Sequence, residues 1–294
     1  MASARMLRCV LCPQDVPVLS YRHAFHAGNH ADVLKHLVLI ACLRHLGQKE
    51  KPWAYIDTHA GAGCYSLSSD WAQKTGEAAQ GIARLWQRRA DAPPACQPYL
   101  DAVASFNPGG QLLFYPGSPA LAMTQARAQD RLHFFELHPS DAQLLQQTFA
   151  NDGDRARVHA ADGLAGLKSC LPPPSRRALV MIDPAYEREE EAQAVRRTLE
   201  DAQRRFATGI YMVWYPLLAR RHHRPWPETF PARQEGDWLD VRLSVGSRDT
   251  LAGMTGSGVW LRNPPWTLPD TLREALPWIA RTLGAQFTLD YQIR

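Results

Sequence analysis

The pattern of hydrophobic and polar positions predicts strands that alternate with helices. From Asn29 to Gly47 the apolar residues recur at helical spacing, with Asn29 as the predicted N-cap. Short apolar runs that are typical of buried strands occur at residues 53–56, 132–135, 157–159, 178–182 and 210–214. Helical stretches at 141–149 and 189–206 separate the later runs. The chain is therefore predicted to form an α/β fold around a mostly parallel sheet.

Two segments depart from this alternation. Residues 238–245 alternate apolar and polar positions, and 259–261 follow a glycine-rich stretch, which predicts an antiparallel pair at one end of the sheet. The chain spends nearly 70 residues between Gly63 and Leu132, whereas a βαβ unit needs about 30. Helix-like stretches at 76–89 and 98–106 predict a small helical insertion there, at about 65–130. Residues 1–18 lack periodicity and are predicted to be a disordered extension before a single domain at 19–294.

Composition narrows the class of protein. The chain has 294 residues, of which 45% are hydrophobic and 21% charged, as is typical of folded soluble proteins. No apolar run approaches the roughly 18 residues of a membrane span, and the N-terminus lacks a signal-peptide core, so we predict a cytoplasmic protein with no membrane partner. Six thinly spread cysteines predict reduced thiols. The net charge of +4 permits a polyanionic partner, and basic clusters at 84–89 and 220–224 are either phosphate contacts or solvated faces.

The turn after the first predicted strand carries the first chemical signal. Gly61 and Gly63 would let the backbone approach a ligand closely, and Asp57 precedes them. The third glycine of a dinucleotide fingerprint would fall at Ser66, and no Gly-Lys-Ser/Thr sequence follows, so a phosphate ligand is disfavoured. A carboxylate at this place suits a cationic ligand such as S-adenosylmethionine. A plain tight turn remains an alternative.

Acidic residues follow successive predicted strands, namely Asp57, Glu136, Asp162 before Gly163, and Asp183. Ligands of open α/β sheets bind at the carboxyl ends of the strands. An acid after the second strand could accept both ribose hydroxyls, and one after the third could accept from an adenine amino group. Each acid alone could instead be a helix N-cap. Four in order favour a cofactor pocket.

The sequence Asp183-Pro-Ala-Tyr186 is the most specific motif. It places a carboxylate and the Pro184 carbonyl side by side, and two such acceptors can grip the hydrogens of a planar amino group. Asp183 would then take up the proton released by methyl transfer, while Tyr186 stacks on a base withdrawn from its own stack. A simple strand-to-loop turn is the alternative interpretation.

The N-terminal segment 20–36 is dense in histidine and aromatic residues and supports two hypotheses. Tyr21, His23 and Lys35 could meet bases and phosphates at the mouth of the pocket, with His36 lining the cofactor. A zinc site is the alternative, built from Cys9, Cys12, His23 and His26. The spacing of these residues is shorter than that of a C2H2 zinc finger, so we expect no metal.

Several motifs together resemble the bacterial RlmJ family. They are Tyr-Arg-His-Ala-Phe-His-Ala-Gly-Asn-His-Ala-Asp-Val-Leu-Lys-His at 21–36, Asp-Thr-His-Ala-Gly-Ala-Gly at 57–63, Tyr-Pro-Gly-Ser-Pro at 115–119, Glu-Leu-His-Pro-Ser-Asp at 136–141 and Asn-Pro-Pro-Trp at 263–266. The likeness covers about residues 19–278. It implies a class I S-adenosylmethionine-dependent methyltransferase fold, a Rossmann-like mostly parallel sheet with a helical insertion. It also implies N6 methylation of an adenine in 23S ribosomal RNA, with S-adenosylhomocysteine as the other product.

The resemblance also implies roles for individual residues. Asp183 would be the catalytic acceptor, Tyr21, His23 and Lys35 would meet the RNA, and the cofactor pocket would comprise His36, His59, Ser118, Glu136, Asp162 and Gly163. The chain departs from the family at Ala185, where a second proline is usual, and residues 1–18 have no family counterpart.

The expected partner is 23S rRNA, either naked or in an assembly intermediate, and the expected state is a monomer. Two alternatives stay open. One is an N-methyltransferase for DNA or a protein amide, and the other is a non-catalytic RNA-binding or zinc-binding module.

Overall fold

This computed structural model describes residues 25–69, 76–187, 189–218, 236–246 and 254–293. The predictions for residues 1–18, for the basic cluster at 220–224, and for Tyr21, His23, Cys9 and Cys12 lie outside the described residues.

An eight-stranded mixed sheet organises the described part of the chain, in the order β10-β8-β9-β7-β6-β1-β4-β5. β1 pairs in parallel with β4 and with β6, β4 with β5, and β6 with β7. The last three strands, β8 to β10, pair antiparallel. The strands are β1 Ala54–Asp57, β4 Arg131–Phe135, β5 Ala156–His159, β6 Ala178–Ile182, β7 Ile210–Leu218, β8 Trp238–Ser244, β9 Met254–Arg262 and β10 Gln286–Gln292. The mostly parallel sheet with an antiparallel end is confirmed.

Helices cover both faces of this sheet. They are α1 His30–Gly47, α2 Glu77–Gln80, α3 Ile82–Gln87, α4 Gln97–Ala104, α5 Ser118–Gln125, α6 Pro139–Phe149, α7 Gly163–Gly166, α8 Glu189–Arg205 and α9 Leu268–Leu283. One hydrophobic core includes α1, α5 and α9, and a second core on the other face includes α8. Parallel strands covered on both faces are mostly apolar, and every residue of β1 and β6 is buried, including the terminal Asp57 of β1.

The first helix follows the predicted cap. The side-chain oxygen of Asn29 accepts hydrogen bonds from the backbone amides of Ala31 and Asp32, which satisfies two free donors of the first turn. Nearly all of α1 is buried, because the sheet lies on one side and α5 and α9 lie on others. The first turns of α1 thus hold Asp32, Lys35 and His36 inside the protein.

The insertion is bounded by a short antiparallel pair of strands, β2 Cys64–Ser66 and β3 Phe114–Pro116. The single helical stretch predicted at 76–89 is wrong, because Gly81 divides it into α2 and α3. A Cβ atom at Gly81 would lie 2.1 Å from the Gly28 carbonyl oxygen, so the chain turns where it touches the start of α1. Helix α5 then packs on α1 as the crossover helix. The domain boundaries stay a prediction.

Two further expectations concern the cysteines and the membrane. Cys42, Cys96 and Cys170 are free thiols as predicted, whereas Cys64 is disulfide-bonded, so the expectation of reduced cysteines is wrong there. Within the described ranges, no helix is both long and apolar enough to cross a membrane.

Candidate active site

Asp57 ends β1 and faces into the protein. Its side chain is fully buried, and it accepts hydrogen bonds from the Tyr55 hydroxyl at 2.8 Å and the Ser118 hydroxyl at 2.7 Å. The His59 amide donates to its other oxygen at 3.2 Å. Burial raises the pKa of Asp57, while these donors favour the carboxylate. Asp57 therefore ties the start of α5 to the glycine turn, and Ser118 is held by this contact.

Glu136 follows β4 and fixes the glycine turn. Its two oxygens accept from the Gly61 amide at 2.7 Å and the His138 amide at 2.7 Å. Burial raises the pKa of this half-buried carboxyl group. A Cβ atom at Gly61, where φ is +63°, would lie 2.2 Å from the Tyr65 hydroxyl, so the turn requires glycine. Each Glu136 oxygen keeps a second lone pair for a ligand.

Asp162 and Gly163 form the neighbouring corner. Asp162 is the N-cap of α7, because one of its oxygens accepts from the Leu164 and Ala165 amides. A Cβ atom at Gly163 would lie 2.1 Å from the Thr58 carbonyl oxygen, so α7 packs directly against the backbone that follows β1. His59 Nδ1 lies 2.7 Å from the Thr58 hydroxyl, and burial lowers the pKa of His59 to about 4. His59 is thus neutral at physiological pH.

Asp183 follows β6 and is paired with Lys35. The Lys35 Nζ lies 2.6 Å from Oδ2 of Asp183 and 2.8 Å from Oδ1 of Asp32. Burial lowers the pKa of Lys35, but the two carboxylates more than offset this and leave the pKa raised. Among the described residues, Asp183 Oδ1 has no hydrogen-bond partner. The catalytic acceptor predicted from sequence thus offers one oxygen to a substrate.

His36 lies close to Asp32, with its Nε2 atom 4.0 Å from Oδ1 of that residue. Its Nδ1 is 2.7 Å from the Tyr115 hydroxyl, and the two rings stack with centroids 5.5 Å apart. The Tyr115 hydroxyl is in turn 3.0 Å from that of Tyr99, which lies on α4. Two tyrosines of the insertion therefore orient the buried His36.

Tyr186 and Trp214 form an aromatic wall beside Asp183. The Tyr186 hydroxyl donates to the Trp214 carbonyl oxygen at 2.7 Å, and the ring centroids lie 5.9 Å apart. Tyr186 has a φ of 53°, a conformation that few residues other than glycine adopt and that tends to occur at functional sites. The Trp214 ring also lies 6.0 Å from the Lys35 Nζ. The Lys35 ammonium thus contacts Asp183 on one side and lies near the aromatic wall on another.

Comparisons with known proteins agree with this geometry. A family model described as "Ribosomal RNA large subunit methyltransferase D, RlmJ" matches residues 50–293. Ribosomal RNA large subunit methyltransferase J of Escherichia coli is 47% identical over 262 residues, which is 89% of this chain and 93% of the relative. The chain belongs to the RlmJ family. The Haemophilus influenzae protein of the same name is 43% identical over 92% of this chain and 96% of its own. A solved structure from Legionella pneumophila, 34% identical, has a TM-score of 0.81 and covers 90% of this chain and 98% of that one.

The RlmJ-family chain brings most of its predicted site residues to one edge of the sheet. Lys35, which was predicted to lie at the mouth of the pocket, is 4% exposed and is paired with Asp183. No group of three or more metal-ligand side chains occurs in the part of the chain that the structure describes. His26, a member of the alternative zinc set, contacts Glu77 of the insertion at 2.8 Å.

Sequence reasoning missed three residues of this site, namely Asp32, Tyr115 and Trp214. Asp32 was visible only as an acidic residue in the first turn of α1, and its spacing of three from Lys35 was the available signal. Tyr115 belongs to a motif that carries the family likeness and Trp214 ends a predicted strand, but nothing local indicates that Tyr115 contacts His36 or that Trp214 lies near Lys35.

Proposed function

We propose that this RlmJ-family protein transfers a methyl group from S-adenosylmethionine to the N6 atom of an adenine in 23S rRNA. The observation that supports this most directly is the single free oxygen of Asp183, which lies beside Pro184 and the Tyr186–Trp214 wall. Family membership favours ribosomal RNA over the alternatives of DNA, a protein amide or a non-catalytic module.

The residues at the carboxyl edge of the sheet fit the cofactor. Neither Gly61 nor Gly163 could carry a side chain, because a Cβ atom there would overlap neighbouring protein atoms. The backbone at these two positions therefore has no side chain to keep a ligand away. Glu136 and Asp162 add acceptors suited to ribose hydroxyls and an adenine amino group. Leu137 exposes 69% of its surface beside Glu136, which offers an apolar face to the adenine ring. When bound there, S-adenosylmethionine supplies an electrophilic methyl group and a positive charge.

The residues of the chain then position the acceptor. Asp183 Oδ1 and the Pro184 carbonyl accept the two hydrogens of the adenine amino group, which favours a pyramidal nitrogen with its lone pair directed at the methyl group. The nitrogen would become positively charged as its bond to the methyl carbon forms and the bond from that carbon to the cofactor sulfur breaks, which leaves S-adenosylhomocysteine, and Asp183 would take up one proton of the nitrogen. The aromatic wall stacks on the withdrawn base.

Of Tyr21, His23 and Lys35, which are predicted to contact RNA, only Lys35 lies within the described residues. We infer that Tyr21 and His23 contact the RNA, as the family resemblance implies. Lys35 reaches a nucleotide only where that nucleotide contacts Asp183, because its ammonium is enclosed by two carboxylates. We further propose that the protein acts as a monomer in the cytoplasm on either naked rRNA or an assembly intermediate.

The test is methyl transfer from labelled S-adenosylmethionine to unmodified 23S rRNA, with nucleoside mass spectrometry of the product. We expect N6-methyladenine with the wild type and a loss of at least about 100-fold in rate with Asp183→Ala. The variant should still bind S-adenosylhomocysteine. Methyl transfer to DNA or protein but not to rRNA or ribosomal particles would overturn the proposed substrate, and absent cofactor binding would overturn the proposed cofactor.

A further inference from the structure

Asp32 lies one helical turn before Lys35 and is as deeply buried as the core. Its residue exposure is 1%, yet it carries a carboxylate. Oδ2 accepts from the Gly28 amide at 2.8 Å, and Oδ1 lies 2.8 Å from the Lys35 Nζ. The same Oδ1 is 4.0 Å from Nε2 of His36. Asp32 therefore contacts Lys35, the partner of Asp183, and also lies near His36.

The turn that holds Asp32 is itself constrained. Gly28 has a φ of +78°, and a Cβ atom there would lie 2.7 Å from the Ile82 side chain of α3. The amide of Ile82 donates to the Gly28 carbonyl at 2.8 Å. The insertion thus fixes the Gly28 amide, the amide fixes the Asp32 carboxylate, and the carboxylate fixes the ammonium of Lys35.

The charges of this cluster do not cancel. Asp32 and Asp183 together carry two negative charges and Lys35 carries one positive charge, so the ionised trio has a net charge of −1. An ammonium held by Asp183 alone would be free to rotate and bridge both of its oxygens. Shared with Asp32, it occupies Oδ2 only. The trio thereby leaves Oδ1 of Asp183 available at the place where the substrate amine would become positively charged.

We propose that Asp32 is a positioning residue for methyl transfer, which holds Lys35 on one oxygen of Asp183 so that the other oxygen receives the adenine amine. This inference rests on the proposed function. It assigns Asp32 no contact with the substrate, and it predicts that the residue acts on the rate of transfer only through Lys35.

The first test is Asp32→Asn. An amide offers one oxygen where the carboxylate offers two, so it cannot accept from both the Gly28 amide and Lys35. We expect kcat to fall roughly 10-fold to 100-fold, because small displacements of a catalytic group have effects of this size. The KM for rRNA and the Kd for S-adenosylhomocysteine should stay within about threefold of the wild type.

The control is Asp130→Asn. Asp130 is also fully buried, and it accepts from the Trp53 amide at 3.0 Å and from Arg127, at the opposite edge of the sheet. This variant loses a buried carboxylate at comparable cost to folding, but its kcat should match the wild type. A kcat loss in Asp32→Asn no larger than that in Asp130→Asn, at matched stability, would mean that Asp32 is only structural.

The second test compares Lys35→Gln with the double variant Asp32→Asn/Lys35→Gln. In the double variant, positions 32, 35 and 183 together keep the wild-type net charge of −1. If Asp32 acts through Lys35, adding Asp32→Asn to Lys35→Gln lowers kcat no further, since the second change finds no ammonium to position. A further fall that multiplies the single losses would overturn the proposal. This comparison also tests whether Asp32 acts through Lys35 if the single variant Asp32→Asn does not fold. An inactive wild type would refute the proposed function instead, so the two failures are distinguishable.

Discussion

At the scale of single residues, backbone contact at Gly163 shapes the candidate cofactor pocket. The Thr58 carbonyl occupies the space that any Cβ atom would need, so Gly163→Ala must push α7 away from the end of β1. We expect a loss of about 1–3 kcal/mol in the free energy of unfolding, as is usual for overpacked sites. The Kd for S-adenosylhomocysteine should rise in parallel. Urea unfolding and calorimetric titration measure the two quantities.

The matched control for this glycine is Gly109→Ala. No heavy atom lies within 4 Å of a Cβ atom at Gly109, so both quantities should remain at the wild-type values. Unchanged cofactor affinity in Gly163→Ala would show that this corner of α7 does not belong to the pocket.

At the scale of elements, strand β3 of the insertion supports helix α1 through a single hydroxyl group. Tyr115→Phe keeps the ring that stacks on His36 but removes the hydroxyl group that is hydrogen-bonded to His36 and to Tyr99. A buried polar group without a partner costs about 1–3 kcal/mol. We therefore expect a less stable protein whose affinity for S-adenosylhomocysteine falls several-fold, because His36 is no longer held in orientation.

Tyr99→Phe is the companion change. It removes only the outer hydroxyl and leaves the contact between Tyr115 and His36, so its effect on cofactor affinity should be the smaller one. Equal effects of the two variants on affinity would contradict a role for Tyr115 in orienting His36, and would indicate general loosening of the insertion.

At the scale of the whole molecule, buried histidines make folding sensitive to acid. Burial, with His159 and Arg157 nearby, lowers the pKa of His133 to about 4 from the ordinary value of 6.5. Between pH 6.5 and 4 the unfolded chain binds a proton at His133 that the folded chain does not, so this contribution to stability is complete above pH 6.5 and declines as the pH falls towards 4.

Other groups act in the opposite direction, because burial raises the pKa values of Asp57 and Glu136 in the folded state. The measurement is therefore a difference between the wild type and His133→Gln in urea unfolding across this pH range. The wild type should lose more stability on acidification, with an excess slope of at most about one proton. Parallel curves would show that His133 does not titrate as its burial predicts.

The sequence by itself determined the elements whose signals are local. A capped run of apolar residues predicted α1, apolar runs predicted β1 and β4 to β7, and each predicted strand ended at an acidic residue or a turn. Because parallel strands place their carboxyl ends at one edge, Glu136, Asp162 and Asp183 could be assigned to one site before their distances were known. Two further elements were not predicted although they have local signals. Phe287, Leu289 and Tyr291 alternate along strand β10, and the apolar residues of helix α9 recur at helical spacing over 268–283.

Only the tertiary structure decided which side chains meet. Lys35 and Asp183 are 148 residues apart, and α1 is buried nearly all round, so no apolar stripe in its sequence shows which face meets the sheet. Because the sequence of α1 does not show which residues face the sheet, the pairing of Lys35 with Asp183 was not predicted and Asp32 was given no role. Whether an acid caps a helix, as Asp162 does, or turns inwards, as Asp57 does, depends on donors from distant segments. Local periodicity determines the elements of this protein, but the packing of those elements determines its chemistry.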